Sequence, residues 1–432
     1  MNYETIKTFI LIVLVGISFF LTFVLWSYQP NYEDFYNTSY VNEVDIGGSE
    51  KTKSDLIKPD KVIFRNAEKA KSFINPTDRQ SFYTDLTSWV LNDYEESESE
   101  GRPDENELFI EIIFPSAIPA SLLTNLFNFY DEIDLPNWSF NRMFITFDEE
   151  RHILKLTILS VDNRKQISAK IEQSEIYDEV LDYMNDTEQL HENVIFGSAD
   201  TPIYLPKEKV KLSKKTLVAT NIDPDLFINA LFSNPSLVKP NIREAYFTDG
   251  QRGMKIVQEG LHLEFINPIQ STHEVLEPIE LMEKSVNNIN EHKGWTNEYL
   301  FEGIIKTSNY IRYRLYYEGY PVFNYHSLSV IEQKWREQEL HEYNRPLIKI
   351  GNLLNTQDVE LPSGQEVVNV LMNGHQMKLE NINDIRVGYY LNYIEDAHSL
   401  TLEPSWYILY QDNWIKFNQD DFQNDTQVRG GD

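Results

Sequence analysis

The sequence predicts an α+β protein, with one N-terminal transmembrane helix followed by a three-domain exterior portion of antiparallel sheets with packed helices. Three observations carry this expectation. Nineteen residues from Thr8 to Trp26 hold no charge. Beyond them, a helical pattern followed by alternating strand segments occurs twice. The 432-residue chain has 41% hydrophobic and 13% aromatic residues but no cysteine, so its exterior domains are stabilised by their own cores, without disulfides.

At a rise of about 1.5 Å per residue, the Thr8–Trp26 run reaches about 28 Å, close to a bilayer core of about 30 Å. Secretory apolar regions are shorter, about 7–15 residues, and end in a small-x-small site that Val24-Leu25-Trp26-Ser27 does not offer. The alternative is a cleaved leader, with a mature chain starting near Tyr28. Trp26 and Tyr28 suit the headgroup layer as interfacial anchors. Gly16, Ser18 and Thr22 supply a small-residue face for helix packing in lipid, with Ser18 and Thr22 four apart. Lys7 precedes the run, Glu33 and Asp34 follow it, and the next basic residue is Lys51. The positive-inside rule therefore places residues 1–7 in the cytoplasm, 8–28 in the cell membrane and the bulk of the chain outside.

Residues 29–58 are polar and read as a stalk. In exterior domain 1, expected at 59–190, Lys61–Phe64 is a strand. Phe82, Leu86, Trp89 and Val90 have helical spacing. Seven acidic residues between Glu95 and Glu107, opposed only by Arg102, read as a solvated loop. A strand at "ELFIEIIFP", a short helix, a hairpin turning at Asp148-Glu149-Glu150 and the amphipathic helix "EIYDEVLDYMND" follow.

Domain 2, expected at 191–325, has a helix starting at Asp223-Pro224. A meander then turns at Asp249-Gly250 and Glu259-Gly260, with Leu261, Leu263 and Phe265 on one face and His262 and Glu264 on the other. A helix from about Glu274 to Asn290 covers it. The hairpin "YIRYRLYYEGYPVFN" turns at Glu318-Gly319, with Ile311, Tyr313, Leu315 and Tyr317 on one face. Domain 3, expected at 326–418, opens a helix with the capping box Ser363/Glu366 and continues in three strands. Residues 419–432 read as a polar, mobile tail.

Chemistry is sparse. His191-Glu192, His273-Glu274 and His341-Glu342 begin like a zinc-protease motif, but none has histidine four residues after the first, so surface placement is expected. No nucleophile elbow, phosphate-cradling loop or calcium loop is present. No catalytic residue, cofactor or metal is expected, and the protein reads as a non-enzyme. The tyrosines of "YRLYYEGYPVFNYH" read as ordinary sheet formers. The formal charge of −30 lies outside the membrane and excludes nucleic acid as a partner, because phosphate binding requires clustered Lys and Arg.

The passage of the apolar run into "LWSYQPNYE", the "YFTDGQRGMKIVQEGLHLEFINP" meander, the "EGYPVF" hairpin and the "LEPSWYILY" strand resemble the YycH family of Firmicutes. The likeness extends from about Lys7 to Phe417. It implies an accessory regulator of the cell-wall two-component system (WalK–WalR, or YycG–YycF). It also implies a three-domain α+β exterior portion, and two partners in the bilayer: the membrane sensor histidine kinase and a YycI-type sister protein. It supplies no catalytic residues. Two other functions stay open from the residues alone: an exterior sensor for a small ligand or cell-wall fragment, and an anchored wall hydrolase.

Overall fold

The computed structural model describes Lys7, Val15 and residues 44–418, apart from 68, 186–187, 242–244, 269–273, 337 and 375–376. The expected packing face Gly16, Ser18 and Thr22, the anchors Trp26 and Tyr28, and the 419–432 tail lie outside the described residues. Among the described residues no helix is long and apolar enough to cross a membrane. From Asp45 onward the chain forms one unit, rich in sheet and carrying packed helices.

Ten strands build the first sheet: β1 (Lys61–Asn66), β2 (Lys69–Phe73), β3 (Val90–Glu98), β4 (Leu108–Pro119), β5 (Asn128–Phe129), β6 (Ser139–Asp148), β7 (Ile153–Ser160), β8 (Lys165–Ile171), β9 (Leu190–Gly197) and β10 (Pro202–Pro206). They lie in the order β10-β9-β2-β1-β4-β6-β7-β8-β3-β5. Fourteen strands build the second: β11 (Val210–Asn221), β12 (Lys239–Asn241), β13 (Tyr246–Thr248), β14 (Gly253–Val257), β15 (His262–Ile266), β16 (Tyr299–Ile305), β17 (Tyr310–Tyr317), β18 (Tyr320–Phe323), β19 (Val330–Arg336), β20 (Glu339–Pro346), β21 (Ile348–Leu361), β22 (Ile382–Ile394), β23 (Ser399–Tyr410) and β24 (Asn413–Lys416). Their order is β12-β13-β14-β15-β20-β19-β17-β18-β22-β23-β11-β21, with β16 beside β17 and β24 beside β23. Pairing is antiparallel except where β5 runs beside β3 and β18 beside β22.

The two-residue period gives β1 two unlike faces. Phe64 looks toward the helices, its ring centre 5.1 Å from Phe73 and 5.8 Å from Phe82 of the helix Pro76–Ser88. Tyr183, from the helix Ser174–Asn185, closes that cluster 5.3 Å from Phe82. Ile63 and Arg65 look the other way, and Ile63 sits opposite Glu111 of β4. Pro76 starts its helix in the first turn, and the backbone turns extended at Trp89. Trp89 and Val90 therefore do not continue the helical pattern read from the sequence. Trp89 packs edge-on against Phe82, and Val90 opens β3.

The acidic segment departs from the expected solvated loop only as far as Glu98; residues 99–107 are loop, exposed at 104–107. β3 runs through Glu98 beside β8, and Lys165 and Lys170 answer Glu98 and Asp93 at 2.7 and 2.6 Å. Opposite charges on adjacent strands let an acid-rich run hold a place near the sheet edge. The expected stalk also changes character over its second half. Lys51 and Asn290 exchange two hydrogen bonds of 2.9 Å, Ser49 bridges to Trp295, and a capping box at Thr52/Asp55 starts the helix Lys53–Leu56. Leu56 and Ile57 are buried. These apolar side chains dock the segment on the body.

The expected divisions at 190/191 and 325/326 fall within sheets. The first cuts β9, and strands on either side of the second share the fourteen-stranded sheet. Ile203 and Leu205 of β10 pack with Val367 and Leu371 of the helix Gly364–Asn373 and with Trp406 and Ile408 of β23. The last strand of the first sheet is thus built into the core of the second. That helix starts with the capping box read from the sequence, Ser363 and Glu366 each bonding the other's backbone N–H. His262, read on the same face as Glu264, is buried in β15, which pairs with β14 on one side and β20 on the other. Burial lowers its pKa to about 4.

Gly319, at the tip of the β17–β18 hairpin, has φ +76°, and a Cβ there would stand 2.4 Å from Cβ of Pro76. Only glycine accepts both conditions without movement. The Gly319→Ala variant is expected to lose about 1–3 kcal/mol of stability by overpacking. Urea unfolding of the two proteins measures it.

Candidate functional site in the cleft between the sheets

β1 and β22 meet through four buried or half-buried charges. Arg386 Nε lies 3.3 Å from Asp60 Oδ2 and also bonds Asp384 Oδ2. Lys61 Nζ stands 3.4 Å from Asp384 Oδ1 and 3.6 Å from Asp60 Oδ2. The guanidinium of Arg386 further donates to the Pro115 carbonyl at 3.1 Å. Arg79 donates to the carbonyls of Asp60, at 2.6 Å, and Gly319, at 2.9 Å. Burial alone would raise the Asp384 pKa, but the charges of Arg386 and Lys61 outweigh it and hold the carboxyl below its ordinary value. Two cations and two carboxylates leave the junction neutral, which is the condition for burying it.

A cavity opens on each side of this junction. One, of 560 Å³, is lined by Ser116 and Arg142 from the first sheet and by Glu302, Tyr310, Arg312 and Trp414 from the second. The other, of 370 Å³, lies between Phe73, His191 and Leu205 on one wall and Tyr320, Val387 and Trp406 on the other. Lys61, Tyr204 and Arg386 line both. Each volume is within the range of about 300–1,000 Å³ usual for small-molecule sites.

Behind the first wall lies Glu111, fully buried on β4. Arg102 donates to its two oxygens at 2.8 and 2.7 Å, Tyr204 donates at 2.7 Å, and Arg142 donates to Oε1. Burial would raise this carboxyl, yet the hydrogen bonds and charge of Arg102, with the charge of Arg142, bring it below the usual range. Arg102 is the lone cation of the acidic segment, and its inward turn is what that segment contributes to the fold.

In two of the His-Glu pairs the histidine does not lie on the surface as expected. His191 is half-buried in the smaller cavity, 3.1 Å from Ser72 Oγ, and burial lowers its pKa. His341 is buried, with Nδ1 2.6 Å from the Asn267 carbonyl. Strand alternation sends each histidine inward and its glutamate outward. His273 lies outside the described residues. Among the described residues no three His, Asp or Glu side chains are grouped to hold a metal. The hairpin tyrosines divide: Tyr313 and Tyr316 are buried, while Tyr325 is exposed beside Tyr390.

Sequence reasoning missed Asp60, Lys61, Glu111, Asp384 and Arg386. One signal was available. Glu111 in "FIEIIF" is a charge inside an apolar strand, which folds only with a partner. The partners themselves, 323 residues apart for Lys61 and Asp384, leave no local trace.

Two family models match the chain: YycH protein, N-terminal domain, over residues 4–189, and YycH protein, C-terminal domain, over residues 200–422. The two-component system WalR/WalK regulatory protein YycH of Bacillus subtilis (strain 168) is 23% identical over 447 residues, covering 94% of this chain and 94% of that protein. The crystal structure of YycH from Bacillus subtilis superposes with a TM-score of 0.74 at 21% identity, covering 87% of this chain and 100% of that one. That likeness shows the fold.

The Glu111→Gln variant leaves Arg102 and Arg142 without their counter-charge and is expected to cost about 3–5 kcal/mol at neutral pH. A depressed folded pKa means the stabilisation is complete above the unfolded carboxyl value of about 4.3 and fades as pH falls through the lower folded value. The gap between wild type and variant in urea unfolding should therefore be widest at neutral pH and narrow below about pH 4.

Proposed function

The chain belongs to the YycH family, and from that premise we propose that it regulates a WalR/WalK-type two-component system from the outer face of the membrane. In this reading residues 8–28 remain as a single-pass helix with the N-terminus in the cytoplasm. The helix lies beside the sensor kinase and a YycI-type partner, and the two-sheet body acts outside. The observation that carries the reading is the span of the family matches. They start at residue 4, ahead of the apolar run, and end at residue 422, so the apolar run falls within the matched span together with the body.

Physical chemistry supports the same division of labour. In this reading, influence on the cytoplasm passes through the helix or through a membrane neighbour. Helices in lipid associate by close packing and weak polar contacts, for which Gly16, Ser18 and Thr22 provide a face. A body with −30 charge is repelled by anionic lipid and stays soluble at the surface. Regulation then amounts to preferring one kinase conformation, and its size is limited by the difference in affinity for the two.

Replacing residues 8–26 by an unrelated spanning helix is expected to abolish association with the kinase in a membrane two-hybrid assay. Association that survives the exchange would move the contact to the exterior body. Co-reconstitution in vesicles provides the functional readout: kinase autophosphorylation should change on adding the full chain and remain unchanged with the exchanged helix.

A further inference from the structure

The smaller cavity has a charge opposite to that of the molecule. The whole chain has 68 acidic and 38 basic residues. The cavity is lined by five cations, Lys61, Arg79, Lys209, Lys211 and Arg386, against two carboxylates, Asp60 and Glu208. Such a reversal in a concave, low-dielectric site focuses positive potential where an anion can use it.

Not all five cations are free to act. Lys61 and Arg386 are held by Asp60 and Asp384. Lys209 bonds Glu360 at 3.0 Å. Arg79 spends two N–H groups on carbonyls, which leave its charge in place. Among the described residues, neither Arg79 nor Lys211 has a carboxylate within ion-pair distance. Glu208 is the one carboxylate of the lining set against these two cations, and among the described residues no ion pair joins it to either.

The rest of the wall is apolar. Phe73, Leu205, Tyr320 and Val387 present carbon, and Trp406 commits its indole N–H to the Pro362 carbonyl at 2.9 Å, leaving only its ring. A short polar strip crosses this wall, where Asn193 donates to Ser72 Oγ at 2.9 Å and His191 stands 3.1 Å from the same oxygen.

We propose that this cavity binds a compact organic anion, a carboxylate or phosphate ester on an apolar body about the size of a ring, with Arg79 and Lys211 taking the anion and the Tyr320–Val387–Trp406 wall taking the body. The walls come from both sheets, so the occupant bears on their junction beside Lys61 and Arg386. The inference does not depend on the regulatory reading.

The test uses the full chain in zwitterionic lipid nanodiscs and four fluorinated probes read by fluorine NMR: 4-fluorophenylacetate, 4-fluorophenyl phosphate, 4-fluorophenylacetamide and 4-fluorophenethylamine. At least one of the two anions should bind about tenfold or more tighter than the amine, a preference that weakens with salt. Carboxylate and phosphate arms then separate the two anion types. Arg79→Gln and Lys211→Gln should each lower anion affinity toward that of the amide, and Val387→Trp, which fills the cavity, should weaken all four probes. Lys211 is exposed and outside the core, so its variant reports even if Arg79→Gln fails to fold. Equal binding of amine and anions, no saturable binding of any probe, or an anion preference unchanged in Lys211→Gln overturns the proposal.

Discussion

Charge neutrality inside the body is the constraint on which the rest of this structure depends. Glu111 and Arg386 are fully or almost fully withdrawn from water, and an unpaired charge in such a place costs several kcal/mol. Each is tolerable because a counter-charge stands against it, Arg102 and Arg142 for Glu111, and Asp384 with Asp60 for Arg386. Arg102 and Arg142 converge on Glu111, while β1 brings Asp60 and Lys61 to β22. Replacing such pairs with apolar residues is often neutral or stabilising, so their value here is positional. The pairs of Asp60 and Lys61 with Asp384 and Arg386 fix which residues of the first sheet face which residues of the second.

The apolar core complements that arrangement. Ile203 and Leu205 leave the edge of the ten-stranded sheet and enter the cluster beneath β23, so neither sheet encloses its core alone. A chain without cysteine has no covalent crosslink to hold two lobes together. Shared burial and matched charge do so instead, and the two cavities occupy the space between these fastenings. The cleft is therefore a place where a ligand or a neighbouring protein can act on the relation between the sheets without disturbing either core.

A second structural repetition lies in the turns. β16 passes to β17, and β22 to β23, through a single 3₁₀ turn closed by a left-handed residue, Asn309 in one and His398 in the other. Each hairpin follows an amphipathic helix, Pro278–Asn290 or Gly364–Asn373. The repeated helix-then-meander pattern read from the sequence reflects this, although its first helix is not the one at Asp223. That helix is short, Asp225–Leu231, and leads into β12 rather than into such a hairpin.

Local chemistry made much of the fold legible. The capping box at Ser363 and the glycine turns at Gly250, Gly260 and Gly319 depend on neighbours within a few residues, and such signals are written in the sequence itself. The apolar run at Thr8–Trp26 and the likeness to the YycH family were equally local in origin. Tertiary structure alone decided that Arg102 leaves an acidic segment to neutralise Glu111, that β10 belongs to two cores, and that Lys61 meets Asp384. The physical reason is that a buried charge specifies only that a partner must come. Which residue comes is set by how the strands and loops pack, across hundreds of residues for Lys61 and Asp384, and no periodicity records it.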